Sequence, residues 1–146
     1  MTIAVSPRRR RLWRVVDASV WVSRYVTADV NHAASHAWLY QHLSTGSVII
    51  APALLLVEVS GAIARRTGDI QRTRQITLRL RQLPGVRWVS ITTQVRDHAA
   101  DLASRLRLRG ADAIYVALAD RLKIPLITWD SEQLTRATPL IIARTP

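Results

Sequence analysis

The sequence predicts an α/β fold, a three-layer α/β/α sandwich with a mainly parallel central sheet of about five strands. Short apolar runs rich in β-branched residues alternate along the chain with longer segments of helical spacing. The runs are continuously apolar, which is typical of strands that are covered on both faces. A length of 146 residues without a repeat or a long linker fits a single domain.

In the first half of the chain, the runs WRVVD and SVIIA are predicted to be buried strands. Pro52 is suited to the start of a helix and Gly68 to its end. The elements predicted here are strands at 13–17 and 47–51 and helices at 34–43, 52–68 and 69–83.

In the second half, VRWVSI, PLITW and PLIIA are predicted strands, and helical segments lie between them. The elements are strands at 86–91, 125–129 and 139–143, helices at 94–108 and 111–123, and a short helix from Asp130. Open parallel sheets bind ligands beyond the carboxyl ends of their strands. Asp17 and Asp130 both fall at such ends.

The composition is strongly basic, with twenty Arg, one Lys and a formal net charge of +11. This charge suits a polyanion such as nucleic acid, because Arg neutralises phosphates and releases their counterions. The alternative is that the Arg bias reflects genome composition, and that the Arg-rich helix at 69–83 is only a solvated face.

The chain has no Cys, which excludes disulfides, thiol nucleophiles and thiolate zinc sites and is ordinary for a cytoplasmic protein. The N-terminus is basic, but Arg14 and Asp17 interrupt the apolar stretch that a signal peptide needs. The longest apolar run, at 48–57, has ten residues, about half of what crossing a bilayer requires. We therefore expect a cytoplasmic protein without a membrane span.

Glu58 is the acid whose surroundings require an explanation. Its neighbours three and four positions away on the predicted helix are apolar or Gly, and none is basic. A buried carboxylate needs compensation from a distant Arg, a hydrogen-bond network or a metal ion. Five other acids are explained as surface pairs, helix caps or solvated side chains, namely Asp29, Asp69, Asp97, Asp101 and Asp120.

Three further acids each have a simple structural alternative. Asp17 could cap the helix that follows it, Asp130 could form a capping box with Gln133, and Asp112 suits the first turn of its helix. Their predicted positions nevertheless bring them, with Glu58, towards one edge of the sheet. Four anions in one cleft become tolerable when divalent cations lie between them, and oxygen-only ligands favour Mg²⁺ or Mn²⁺ over zinc.

Four segments in this order resemble the PIN-domain family, and the resemblance extends from about position 13 to 143. The segments are VVDAS (15–19), VEVSGAI (57–63), GADAIYVALA (110–119) and LITWD (126–130). The ordered combination is more specific than any single motif, above all Asp-Ala-Ile in an alanine-rich helix followed by Thr-x-Asp.

The resemblance implies a Mg²⁺- or Mn²⁺-dependent ribonuclease with Asp17, Glu58 and Asp112 as metal ligands and Asp130 as a fourth, more variable acid. Ser19 and Thr128 match positions where the family often has a supporting hydroxyl. The metal would lower the pKa of a bound water and stabilise charge on the phosphate. Small bacterial members are mostly toxins of the VapC type, which implies an antitoxin partner and a homodimer.

The chain departs from the family before the first acid, where members commonly have only a few residues. We expect residues 1–12 to be a basic, disordered arm, and residues 13–146 to form a single PIN-like nuclease domain. The arm would bind RNA weakly through Arg8, Arg9, Arg10 and Arg11. The alternative is a misassigned start.

Rival phosphoryl-transfer classes fit less well. The haloacid-dehalogenase type requires an Asp where this chain has Ser19, and the response-regulator type requires a Lys after a late strand, whereas Lys123 precedes its strand. No His is assigned as general base, because His32, His36, His42 and His98 lie away from the predicted strand ends. A housekeeping ribonuclease, or a non-catalytic RNA- or protein-binding module on the same fold, stays open.

Overall fold

The computed structural model describes residues 12–146, and within this range it has one sheet of five parallel strands. The strands are β1 (Trp13–Val16), β2 (Val48–Pro52), β3 (Val86–Val89), β4 (Leu126–Ile127) and β5 (Ala143–Arg144). Their order across the sheet is β3-β2-β1-β4-β5, and all four neighbouring pairs are parallel. The predicted RNA-binding residues Arg8, Arg9, Arg10 and Arg11 lie outside the described residues.

Seven helices connect the strands over the same range. They are α1 (Ala18–Tyr25), α2 (His32–Ser44), α3 (Leu54–Thr67), α4 (Ile70–Arg81), α5 (Thr93–Leu106), α6 (Gly110–Leu122) and α7 (Ser131–Arg136). Helix α1 packs on α2 and α3, α3 packs on α4, and α5 packs on α6. None of these helices has the length and apolarity that crossing a bilayer requires.

The central strands are buried on both faces, as their continuously apolar sequences predict. Val15 and Val16 of β1 are adjacent and both fully buried, as are Leu126 and Ile127 of β4. Because successive side chains of a strand point to opposite faces, both faces of the sheet are covered. The predicted three-layer α/β/α sandwich is therefore confirmed, and its sheet is wholly parallel.

The predicted start of one helix and the predicted extent of the last strand are wrong. Pro52 is the last residue of β2, where it pairs with Val89, and the helix begins only at Leu54. The last strand comprises 143–144 instead of 139–143, because the Ala137 carbonyl accepts hydrogen bonds from the backbone N–H groups at 140 and 141. This turn delays the return of the chain to the sheet.

Adjacent strands β1 and β4 end side by side. Val16 pairs with Ile127, and the Asp17 N–H donates to the Ile127 carbonyl at 2.9 Å. The first residues after these strands, Asp17 and Thr128, are therefore neighbours although the sequence separates them widely. This edge of the sheet holds the candidate site.

Candidate active site

Asp17 is a buried carboxylate that accepts hydrogen bonds from three protein groups. It caps α1, with its Oδ2 accepting from the backbone N–H of Ser19 at 3.0 Å, and only 4% of the residue is exposed. Thr128 Oγ1 lies 3.3 Å from Oδ2, and Gln133 Nε2 donates to Oδ1 at 3.4 Å. Burial raises the pKa of Asp17, although the hydrogen bonds from Ser19 and Gln133 oppose this.

Thr128 and Ser19, the two predicted supporting hydroxyls, join Asp17 to the loop after β4. Thr128 Oγ1 lies 2.6 Å from Gln133 Oε1 and accepts from the Asp130 N–H at 2.9 Å. Ser19 Oγ lies 3.4 Å from Thr128 Oγ1 and accepts from the Trp129 N–H at 3.0 Å. A hydroxyl has one hydrogen, so Thr128 donates either to Gln133 or to Asp17 at any moment.

Gln133 is the member of this network that sequence reasoning missed. Its side chain is fully buried and contacts Asp17, Thr128 and the backbone carbonyl of Asp112, at 3.3 Å for the last. The predicted capping box is only half right, since Asp130 accepts from the Gln133 N–H at 2.8 Å but the Gln133 side chain does not return the bond. A glutamine on a short helix offered no local signal of burial.

Glu58 lies on α3 with one carboxylate oxygen paired and one orphaned. Oε2 accepts from the Tyr115 hydroxyl at 3.4 Å, whereas Oε1 is buried without a hydrogen-bond partner within the described residues. Burial, together with the charges of Asp17 and Asp112, raises the pKa of Glu58 to about 7. Of the three kinds of compensation expected from the sequence, the described residues supply only this one hydrogen bond.

Asp112 lies in the first turn of α6 and is half-buried. Burial, together with the charges of Asp17 and Asp130 and against that of Arg109, raises its pKa to about 6. Asp130 caps α7, and its charge also acts on Asp17. The structure therefore brings the four predicted acids within electrostatic range of one another, linked through Asp17.

Asp101 and Asp120 pair with basic residues away from the site, as predicted. Asp101 contacts Arg105 at 2.9 Å, and Asp120 contacts Lys123 at 2.8 Å. His98 Nε2 lies 2.7 Å from Asp120, so this histidine is also engaged away from the site.

A cleft of about 620 Å³ opens beside the acids. Glu58 and Asp112 face it from two different helices, and Trp129 forms part of its wall. Trp129 is held in place by its indole N–H, which donates to Ser35 Oγ at 2.8 Å. No His of the described residues lines the cleft.

The acids fit a hard divalent cation by the chemistry of their donors. All are carboxylates, the ligands that Mg²⁺ and Mn²⁺ favour, and the orphaned Oε1 of Glu58 needs a positive partner. Over residues 12–146, no three His, Asp or Glu side chains already form a cage around one point. The four carboxylates are thus a charged cluster that a cation would compensate.

The fold and the site together define the class of protein, a parallel α/β sandwich with a cluster of acids at the carboxyl edge of its sheet. A sequence profile of the PIN domain matches residues 14–138. The chain therefore belongs to the PIN domain family, as the sequence motifs predict.

Solved structures with the same fold are bacterial VapC and related toxin proteins. Mycobacterium tuberculosis VapC20, described as a Sarcin-Ricin loop cleaving toxin, is similar with a TM-score of 0.71 and 19% identity over 91% of this chain and 99% of that one. VapBC2 from Rickettsia felis, bound to a DNA fragment from its promoter, has a TM-score of 0.66 and 12% identity over 92% of this chain and 99% of that one. A toxin-antitoxin complex from Klebsiella pneumoniae has a TM-score of 0.55 and 18% identity over 84% of this chain and 90% of that one. No protein of curated function matches the sequence.

Proposed function

We propose that this protein is a metal-dependent endoribonuclease that hydrolyses RNA phosphodiester bonds. The observation that carries the proposal is the uncompensated carboxylate cluster, above all Glu58 with its orphaned Oε1 and a pKa of about 7. Strongly perturbed acids in a cleft are typical of functional sites. Membership of the PIN domain family and the RNA-loop cleavage named for VapC20 support the choice of reaction.

Asp17, Glu58 and Asp112 would hold Mg²⁺ or Mn²⁺, and Asp130 would complete the site. The cation supplies Lewis acidity, which activates water and stabilises the charge that develops on the phosphate. Asp17 is kept in one orientation by Ser19 and by the loop after β4, so its position is set before any ligand arrives.

Cation binding would also change the protonation state of the site. At neutral pH, Glu58 with its pKa of about 7 is only partly ionised without a cation. A cation would favour the charged form, so binding would release a proton from this carboxyl group. Tyr115 contributes one fixed donor, and burial raises its own pKa, which keeps the hydroxyl protonated as a donor to Glu58.

We further propose that the protein is the toxin of a toxin-antitoxin pair, with a cognate antitoxin, a homodimeric state and a cytoplasmic location. The toxin-antitoxin complexes of the same fold support the antitoxin. Residues 13–146 would act as one nuclease domain, and Arg8 to Arg11 would add weak RNA affinity. A small adjacent gene encoding a DNA-binding antitoxin would support this assignment, and its absence would favour a housekeeping ribonuclease.

The nuclease proposal is tested by RNA cleavage in Mn²⁺ and in EDTA. The wild type should cut only with Mn²⁺, and Glu58→Gln should lose more than about a hundredfold in rate, because even the outer partners of metal ligands contribute about 10–100-fold. Asp101→Asn is the matched control, since it also removes one acidic charge but lies on the surface beside Arg105. Wild type that binds RNA without cutting it would favour the non-catalytic module instead.

A further inference from the structure

Three arginines line the cleft beside the acids, and they differ in whether their charge is already engaged. Arg66 contacts Asp29 at 2.5 Å, and the charge of Arg109 acts on Asp112, whose pKa it lowers. Arg65 has no ion pair and no side-chain hydrogen bond with any residue from 12 to 146. Arg109 also has no ion pair, but its charge acts on Asp112, whereas the charge of Arg65 acts on neither Asp112 nor Glu58. Arg65 is therefore the cleft arginine whose charge is left to bind an anion from solution.

Gly61 gives the Arg65 side chain its place on α3. A Cβ atom at position 61 would lie 3.1 Å from Nη1 of Arg65, closer than such atoms normally approach. The two residues are four positions apart on one helix face, and long helical side chains lean towards the helix N-terminus. Arg65 therefore extends back along α3, and a methyl group at position 61 would displace its guanidinium by a few tenths of an ångström.

This placement brings a positive charge close to the acids without neutralising them. Gly61 follows Glu58 by three residues, a rise of about 4.5 Å along the helix axis. Glu58 still has a raised pKa, and the charges that act on it are those of other acids, not of Arg65. Arg65 therefore has no structural ion pair or hydrogen bond among the described residues. Gly in a helix interior is unfavourable, so Gly61 is not explained by the stability of α3 alone.

We propose that Arg65, held over Gly61, binds the substrate phosphate next to the phosphodiester that is cut. The inference rests on the proposed function, because an RNA strand entering this cleft must bring its own negative charges past the carboxylates of Glu58 and Asp112, which line it. A guanidinium binds phosphate oxygens through paired N–H donors, so it offsets this repulsion and also fixes the register of the strand.

The test is the salt dependence of RNA binding, measured by fluorescence anisotropy. A short labelled oligouridylate is titrated in EDTA, which prevents metal-dependent cutting, between about 50 and 200 mM KCl. Arg65→Gln should reduce the slope of log affinity against log salt by about 0.7, the value for one lost phosphate contact to a single strand. Affinity at the lowest salt should fall about three- to tenfold.

Arg121→Gln is the matched control. Arg121 is exposed in the last turn of α6 and does not line the cleft, so this variant makes the same change in net charge elsewhere. Its slope should equal that of the wild type. An equal slope for Arg65→Gln and Arg121→Gln, or no measurable binding by the wild type, would overturn the proposal.

Gly61→Ala keeps every charge but moves the guanidinium. Thermal unfolding should show the variant at least as stable as wild type, since Ala suits a helix interior better. Its affinity should fall about two- to threefold, because paired N–H donors require a fixed geometry. Unchanged affinity here, with weakened binding by Arg65→Gln, would overturn the role of Gly61.

Cleavage assays on the same preparations separate this inference from the proposed function. A reduced slope for Arg65→Gln together with no cutting by wild type in Mn²⁺ would support the phosphate contact and reject the nuclease. Cutting by wild type with an unchanged slope for Arg65→Gln would reject the phosphate contact alone.

Discussion

The two ends of helix α6 carry the same residue type in opposite electrostatic states. Asp112, in the first turn, has a pKa raised to about 6 by burial and by neighbouring acids. Asp120, in the last turn, has a lowered pKa because Lys123 and His98 donate to it. The two acids differ in whether neighbouring side chains pair with them. At the outer end, Lys123 and His98 pair with Asp120, whereas at the inner end the Asp112 side chain has no hydrogen bond or ion pair with any residue from 12 to 146.

The largest difference should appear in RNA cleavage with Mn²⁺. Asp112→Asn should lose more than about a hundredfold in rate, because it removes one of the proposed cation ligands. Asp120→Asn makes the same chemical change on the same helix and should stay within about twofold of wild type. Equal losses in the two variants would show that the acids at the inner end have no special role.

Cation binding should give the next largest difference between the two ends of α6. Mn²⁺ at about a hundred times its dissociation constant should stabilise the wild type by about 2.7 kcal/mol, because it binds only the folded state. Thermal unfolding with and without Mn²⁺ measures the gain. It should vanish in Asp112→Asn and persist in Asp120→Asn, and a wild type without any gain would reject the metal site.

The pH dependence of stability in EDTA should reveal Glu58 itself. Its pKa is raised from 4.5 to about 7 in the folded state, so the folded protein holds the proton more tightly than the unfolded chain. Stability attributable to this group is therefore greatest below pH 4.5 and declines as the pH rises to about 7. Solvent screening of this partly exposed group reduces the loss to about 1–2 kcal/mol.

Urea unfolding of wild type and Glu58→Gln across this range measures the effect. The variant should lack this decline and should exceed wild type in stability at pH 8, since it carries no charge to bury. A parallel decline in both proteins would contradict the raised pKa of Glu58.

The smallest effect is expected at Asp120, and its sign is opposite. The lowered pKa means that the pairs with Lys123 and His98 stabilise the fold above the ordinary Asp pKa and are lost as the pH falls through the lowered value. Asp120→Asn should cost about 0.5–1 kcal/mol at pH 7, because Lys123 is largely exposed. Urea unfolding should show a smaller deficit at pH 3 than at pH 7.

Local patterns in the sequence were sufficient for most elements and for the surface acids. Asp101 and Asp120 pair with basic residues three or four positions away, which helical spacing alone predicts. The apolar runs of β1 and β2 are long enough to predict both strands. The last strand was misplaced because its apolar run continues through a turn, and no spacing rule separates the two.

The sequence by itself determined the fold class and the family and predicted the set of four acids, because periodicity and short motifs are local properties. Only the tertiary structure decided which partners those acids have. Gln133 reaches Asp17 and Tyr115 reaches Glu58 across separations of 116 and 57 residues, whereas Oε1 of Glu58 receives no partner from residues 12–146. Likewise, adjacent arginines on α3 differ because Arg66 meets Asp29 and Arg65 does not. Such contacts depend on how distant elements pack, and that information is absent from any single stretch of chain.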